Sequence, residues 1–144
     1  EAANKIGLKP SYYKWRVGRS VLITSSYSEA KDIIENSSGV FSHYFLYLNT
    51  VSKLASGTLG KNINLEEELP SAIKKAKDLI IIGNQKTVIE KLITFIDTVG
   101  PFGTLLLTGH DIGNAKKMWV NSFSKMSESV QPVLNKYIEQ KFKI

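Results

Sequence analysis

Only three stretches of this sequence have the pattern of a β-strand, and helical patterns separate them. Residues 15–24 alternate between β-branched and small side chains, and residues 79–82 and 102–108 are short aliphatic stretches typical of buried strands. The helices between them are long enough to cross over between parallel strands, which indicates an α/β class with right-handed crossovers. Two or three parallel strands do not close a sheet, so we expect part of a larger barrel or sheet.

Apolar spacing and capping residues predict four helical segments. Gly39 interrupts the first of them, and Asn84 is the predicted N-cap of the third. Pro132 predicts a kink or a break in the last segment, because proline removes a backbone donor. The predicted segments are residues 28–54, 66–77, 84–99 and 114–141.

Composition excludes several classes of protein. A length of 144 residues with 42% hydrophobic residues suits one globular domain or part of one, and excludes a disordered chain. The longest apolar runs are far shorter than the roughly 20 residues of a membrane span. The sequence has no cysteine, which excludes disulfides and thiolate metal sites. It starts at Glu1 with neither Met nor a signal pattern, so we expect a processed chain or one cut from a longer protein.

The net charge of +6 raises the question of nucleic-acid binding. The basic residues are mostly single lysines on predicted helix surfaces, without an Arg-rich groove or interleaved aromatic residues. We therefore expect solvated helix faces, and no nucleic acid or membrane as partner. Weak binding to a polyanion stays open as a minor hypothesis, and its affinity would fall steeply with salt.

Candidate site residues follow two of the predicted strands, because chemistry in parallel α/β folds gathers at the carboxyl ends of strands. An imidazole, a carboxylate and hydroxyls at these positions could contact a cofactor or transfer protons. The alternative is that the serines and the aspartate only cap helices and the histidine is an exposed loop residue. The candidates are Thr24 and Ser25 after the first strand, and Thr108, Gly109, His110 and Asp111 after the third.

Other chemistries lack their motifs. Three residues separate Gly109 from Gly113 and Asn114 follows, whereas a phosphate-binding P-loop has four residues between its glycines and then Lys-Ser/Thr. His43 and His110 are the two histidines and have no metal-ligand spacing, so no metal site is expected. There is no Gly-x-Ser-x-Gly elbow of a serine hydrolase.

Several motifs lie along the chain: an upstream Trp-Arg-Val-x-Arg strand followed by a helix, a glycine-opened helix start, a later strand and a closing helix. They lie in residues 8–10, 14–19, 28–30, 80–92, 102–111, 122–123 and 130–134. Together they resemble the C-terminal stretch of the luciferase-like, flavin-dependent monooxygenases, the bacterial luciferase superfamily that includes limonene- and alkane-type enzymes, in which the later strand is the last strand of the barrel. Gln85 and Lys86 depart from the family's Pro and acidic residue at the helix start.

The resemblance implies a (β/α)8 TIM barrel, of which residues 1–144 would be the C-terminal portion, since such a barrel needs about 250 residues. It implies a cytoplasmic monooxygenase that uses reduced FMN and O2 to oxygenate a small, hydrophobic organic substrate, with a deazaflavin as the alternative cofactor. A separate flavin reductase would supply the flavin, and the full-length protein would be a homo-oligomer. His110 and Asp111 would then be catalytic, and Thr24, Ser25, Thr108 and Gly109 would contact the cofactor. We expect the segment alone to be inactive.

In such a barrel the first predicted strand would have two different faces. Val17, Val21 and Ile23 would face outward to helices, whereas Leu22 and its neighbours of the same parity would face inward. A hypothesis from another class is a non-catalytic α/β binding or assembly module. Its interaction surface would consist of Phe41, Tyr44, Phe45 and Tyr47.

Overall fold

A computed structural model describes residues 5–7, 11–57, 64–110 and 116–143. A short 3₁₀ turn, Tyr12–Lys14, precedes the first strand, and a π-helical turn, Met126–Val130, precedes the last helix. The strands are β1 (Arg16–Arg19), β2 (Val21–Ile23), β3 (Ile81–Gly83) and β4 (Thr104–Leu107). The helices after β1 are α1 (Tyr27–Glu35), α2 (Val40–Ala55), α3 (Leu65–Leu79), α4 (Gln85–Val99), α5 (Lys116–Lys125) and α6 (Gln131–Phe142).

The strands form two parallel ladders that meet at Ser20. β1 pairs with β4 in the register Gly18 to Leu106, and β2 pairs with β3 in the register Leu22 to Ile82. The first predicted strand is therefore two short strands, which change partner between Arg19 and Ser20. All of the strand pairing among the described residues is parallel, as the α/β class predicts, and this helix-rich part of the chain contains few strands.

Helices cover β2 on both sides. Val21 and Ile23 pack in a cluster with side chains of α4, the π-helical turn and α6. Leu22 points the other way and is fully buried in a second cluster, with residues of α1, α2 and α3 and with Trp119 of α5. The expectation that Leu22 faces a barrel interior is wrong at this position, because the α1–α3 helices pack directly on that face.

β4 is less buried than predicted. Leu105 and Leu107 are half-buried and pack against the cluster of α4 and α6, whereas Thr104 and Leu106 are exposed. The reason is that no described element covers the face of the β1–β4 ladder to which Leu106 belongs. The helices α1–α3 cover this face only at β2 and β3.

The helix boundaries follow local chemistry. Gly39 separates α1 from α2 and is the N-cap of α2, and the Asn84 side chain accepts a hydrogen bond from the Thr87 amide at the start of α4. Gly100 ends α4 with a positive φ of 89°, which glycine adopts without strain. Near Pro132 the helix changes type without a break, since the π-helical turn ends directly before α6 and Pro132 lies in the first turn of that helix.

Half of the aromatic surface proposed for a binding module is internal. Phe41 is fully buried and Phe45 is 6% exposed, and both belong to the cluster around Leu22. Tyr44 and Tyr47 remain exposed on α2. The four aromatic residues therefore do not form one outer face, because α3 and the sheet cover half of them. In the described ranges, every helix is too short or too polar to cross a bilayer.

Candidate functional site

Three polar side chains meet at the carboxyl end of the β1–β4 ladder. The Ser20 hydroxyl lies 2.8 Å from the Thr108 hydroxyl and 2.9 Å from Nε2 of His110. Ser20 directly follows β1 and Thr108 directly follows β4, and the Thr108 amide donates to the Arg19 carbonyl at 3.0 Å. Pairing of the two strands therefore brings the hydroxyls together, and the chain after β4 adds the imidazole. We call Ser20, Thr108 and His110 the hydroxyl–imidazole cluster.

Aromatic rings of α2 lie against His110. The His110 ring centroid is 4.6 Å from that of Tyr44 and 5.2 Å from that of Phe41, both in edge-on geometry. Burial lowers the pKa of His110 below its ordinary value of 6.5, because desolvation disfavours the charged ring. At neutral pH the imidazole is therefore predominantly uncharged, with one nitrogen that donates a hydrogen bond and one that accepts.

A buried indole lies in the same region of the fold. Trp119 of α5 packs in the cluster that contains Phe41, and its ring is 5.7 Å from that of Phe123. A Cβ on Gly109 would lie 3.9 Å from the Phe123 ring, so α5 packs close to the chain after β4. Among the residues that the structure describes, the buried Nε1 of Trp119 has no hydrogen-bond partner. A buried donor without a partner is costly, so this N–H is available to an acceptor.

Thr24 and Ser25 lie just before α1 and form hydrogen bonds with the N-cap and first turn of that helix. The Thr24 hydroxyl donates to the Ser26 carbonyl at 2.8 Å, and the Thr24 amide donates to the Gly83 carbonyl at 2.8 Å. Ser25 donates its amide and its hydroxyl to the Glu29 carboxylate at 2.8 and 2.5 Å. These hydrogen bonds hold the pKa of Glu29 below its ordinary value of 4.5. The role of Thr24 and Ser25 in cofactor binding stays a prediction.

The remaining predicted site residues follow β4. Thr108 belongs to the hydroxyl–imidazole cluster, Gly109 is exposed beside Phe123, and His110 completes the cluster. Asp111 lies outside the described residues. The structure therefore brings Thr108 and His110 together through Ser20, whereas the described hydrogen bonds of Thr24 and Ser25 are to other residues.

Sequence reasoning did not assign Ser20 or Trp119 to the site. Ser20 has the parity of the predicted inward face, which was the available signal, but its contact with His110 depends on the register between β1 and β4. No comparable signal points to the unpaired indole of Trp119. Across the described ranges, no group of three or more His, Asp or Glu side chains is arranged to hold a metal ion.

The open face beside the cluster fits a flat aromatic ring. A Cβ on Gly18 would meet nothing within 4 Å, and its register partner Leu106 is 48% exposed. An isoalloxazine ring needs an apolar surface for its face and hydrogen-bonding groups at its polar edge. Leu106 offers the first, and the Thr108 hydroxyl and the uncharged His110 offer the second. The residues present therefore fit the ring system of FMN.

The start of α1 fits the phosphate of FMN less well than the open face fits the ring. Helix N-termini favour anions because their first amides lack partners. At α1, however, the Ser26 hydroxyl accepts from the Glu29 amide at 3.1 Å, and the Glu29 carboxylate already lies over Ser25. A phosphate at the start of α1 would meet the like charge of Glu29. The described residues therefore fit the flavin ring of FMN better than they fit its phosphate.

This fold is found in solved structures, including one enzyme in complex with FMN. That enzyme is the oxygenating constituent of 3,6-diketocamphane monooxygenase from the CAM plasmid of Pseudomonas putida, a type II Baeyer-Villiger monooxygenase in complex with FMN. The TM-score is 0.63 and the sequence identity is 23%, and the match covers 91% of this chain and 36% of that chain. No family model matches the sequence, and no curated protein sequence matches it. The chain thus has the fold of one part of that monooxygenase and spans about a third of its length.

Proposed function

We propose that this chain forms part of a flavin-dependent monooxygenase that uses reduced FMN and O2 to oxygenate a small, hydrophobic organic substrate. Residues 1–144 would be the C-terminal portion of its (β/α)8 barrel, with the luciferase-like superfamily as its relatives. The observation that carries the proposal is the hydroxyl–imidazole cluster at the carboxyl end of a parallel ladder, in a fold shared with an FMN-bound monooxygenase. Ligands of open α/β sheets bind at this end of the strands.

The residues that follow β4 have distinct tasks under this proposal. Thr108 and Gly109 lie beside the flavin ring, and His110 and Asp111 hold or move a proton at an oxygen of the substrate. When bound, reduced FMN supplies the electrons that activate O2. Leu106 would pack against one face of the flavin ring, and Phe41 and Tyr44 behind His110 would limit the access of water to the imidazole.

Another protein would supply the reduced cofactor. A separate flavin reductase would provide reduced FMN, and a reduced deazaflavin is the alternative, since the contacts proposed here would be to the ring and not to the phosphate. Homo-oligomerisation of the complete protein and a cytoplasmic location belong to this proposal as well.

The proposal is tested by mapping reduced FMN onto the chain. A ¹⁵N-labelled sample is titrated anaerobically with reduced FMN, and amide shifts are followed by NMR. We expect the largest shifts at Gly18, Thr108 and Gly109, which border the open face. Reduced riboflavin should shift the same amides, because the ring and not the phosphate contacts them. A parallel titration with a reduced deazaflavin compares the two cofactors.

A matched pair of variants controls the mapping. Thr108→Val removes the hydroxyl at the open face, whereas Thr98→Val removes an exposed hydroxyl on α4 that bonds only to its own helix. The shifts should shrink in the first variant and persist in the second. Shifts confined to lysines on the helix surfaces, or none at millimolar flavin, would contradict the proposed function.

A further inference from the structure

We propose that Ser20 is a positioning residue that binds Nε2 of His110, and that Ser20, Thr108 and His110 form a relay which carries a proton between a ligand oxygen at the open face and the imidazole. Nδ1 is then the ring nitrogen that exchanges protons with its surroundings. This inference deepens the proposed function and takes the reaction class from it. Its geometry comes from the described contacts alone.

The Ser20 hydroxyl stands between two partners. It has one proton, so it donates either to Nε2 of His110 or to the Thr108 hydroxyl, and it accepts from the other. When Ser20 donates to Nε2, Thr108 donates to Ser20 and is left to accept a hydrogen bond from a ligand. When Ser20 donates to Thr108, Nε2–H donates to Ser20 and Thr108 donates to a ligand oxygen. The relay thus presents either an acceptor or a donor at its outer end.

A proton passes along this relay without any net change in the hydroxyls. A ligand O–H gives its proton to Thr108, Thr108 gives its own to Ser20, and Ser20 gives its own to Nε2. His110 then carries one extra proton, which leaves from Nδ1, while the ligand oxygen keeps the electron pair. The reverse sequence delivers a proton to a ligand oxygen. No oxidant or reductant takes part in these transfers.

The surroundings of His110 suit this task. Tyr44 and Phe41 hold the ring edge-on, and Nδ1 makes no hydrogen bond to the residues that the structure describes. The change in the His110 pKa comes from burial and not from a neighbouring charge. Tyr44 is the titratable group whose ring contacts the imidazole. The outer end of the relay, Thr108, is exposed on the same ladder face as Leu106.

The chain has two histidines, so His43 can serve as the reference in a test of the relay at His110. His43 lies exposed on α2, outside the cluster. In a ¹⁵N-histidine-labelled sample without flavin, long-range ¹H–¹⁵N correlation spectra report the tautomer of each ring. We expect one tautomer to dominate at His110 and a mixture at His43.

Four variants decide the proposal. Ser20→Ala should change the His110 tautomer ratio by about two- to tenfold, the range expected for one lost hydrogen bond, and Ser20→Thr should restore it. Thr108→Val should also change the ratio, because it removes one of the two hydrogen-bond partners of the Ser20 hydroxyl. Thr104→Val, on the same exposed face of β4 but outside the cluster, should not. His43 should stay constant throughout.

Two outcomes would overturn the relay. One is a His110 tautomer ratio that does not respond to Ser20→Ala while the amide spectrum stays native. The other is an equal response to Thr108→Val and Thr104→Val. If Ser20→Ala fails to fold, Thr108→Val still decides the question, since its side chain is exposed. None of these spectra depends on flavin binding, so failure of the relay and failure of the proposed function are separate results.

Discussion

The charged form of the Glu29 carboxylate stabilises the native state. The Ser25 hydroxyl and amide donate to it, which lowers its pKa below 4.5. The contribution of this group to the free energy of unfolding is therefore present above pH 4.5 and is lost as the pH falls through the folded-state pKa. Glu29→Gln should lower stability at neutral pH by no more than about 1 kcal/mol, because water screens the site.

The pH dependence separates this effect from a general change in charge. Urea unfolding at neutral pH and at about pH 3.5 should show a smaller loss of unfolding free energy on acidification in Glu29→Gln than in the natural sequence. Glu128→Gln makes the same change of charge at an exposed position of the π-helical turn and should keep the natural pH dependence. Equal behaviour of the two variants would show that the Ser25–Glu29 hydrogen bonds do not stabilise α1.

At the scale of elements, one face of the paired strands has two environments. Leu22 of β2 is fully buried under α1–α3, whereas Leu106 of β4, on the same face, is 48% exposed. Leu22→Ala should lower the free energy of unfolding by about 2–5 kcal/mol, since it opens a cavity in the core. Leu106→Ala should cost less than about 1 kcal/mol. Urea unfolding of both variants measures the difference, and similar losses would mean that another segment covers the Leu106 face.

The elements differ in how far the sequence predicts them. The start of α4 at Asn84 and its end at Gly100 follow from local capping chemistry, and both are confirmed. The packing of α1–α3 on Leu22 was not predictable, because it depends on how three helices fold back onto the strand. The cluster shows the same division: Thr108 and His110 follow a strand visible in the sequence, but the contact of Ser20 with His110 depends on strand register.

At the scale of the whole molecule, the two ladders have different outer edges. On β2, the Ile23 amide points away from β3 and donates to the buried Ser122 hydroxyl at 2.9 Å, so α5 satisfies that edge. On β4, no described residue pairs with the edge opposite β1. A cavity of about 340 Å³ lies beside this edge, between β4, α4 and α6. An unpaired edge next to an apolar cavity is the part of the fold where a further strand would pair.

Amide hydrogen exchange gives a direct reading of the β4 edge. The amides of Thr104 and Thr108 donate to carbonyls of the β1 segment, so alternation directs the amides of Leu105 and Leu107 away from it. We expect Leu105 and Leu107 to exchange faster than Leu106 and Ile23, as measured by NMR in D₂O. Slow exchange at low protein concentration would contradict a free edge, and protection that grows with concentration would identify a second copy as the partner. If a longer polypeptide supplies the neighbouring strand, as the proposed partial barrel requires, exchange in that polypeptide should slow at these same two amides.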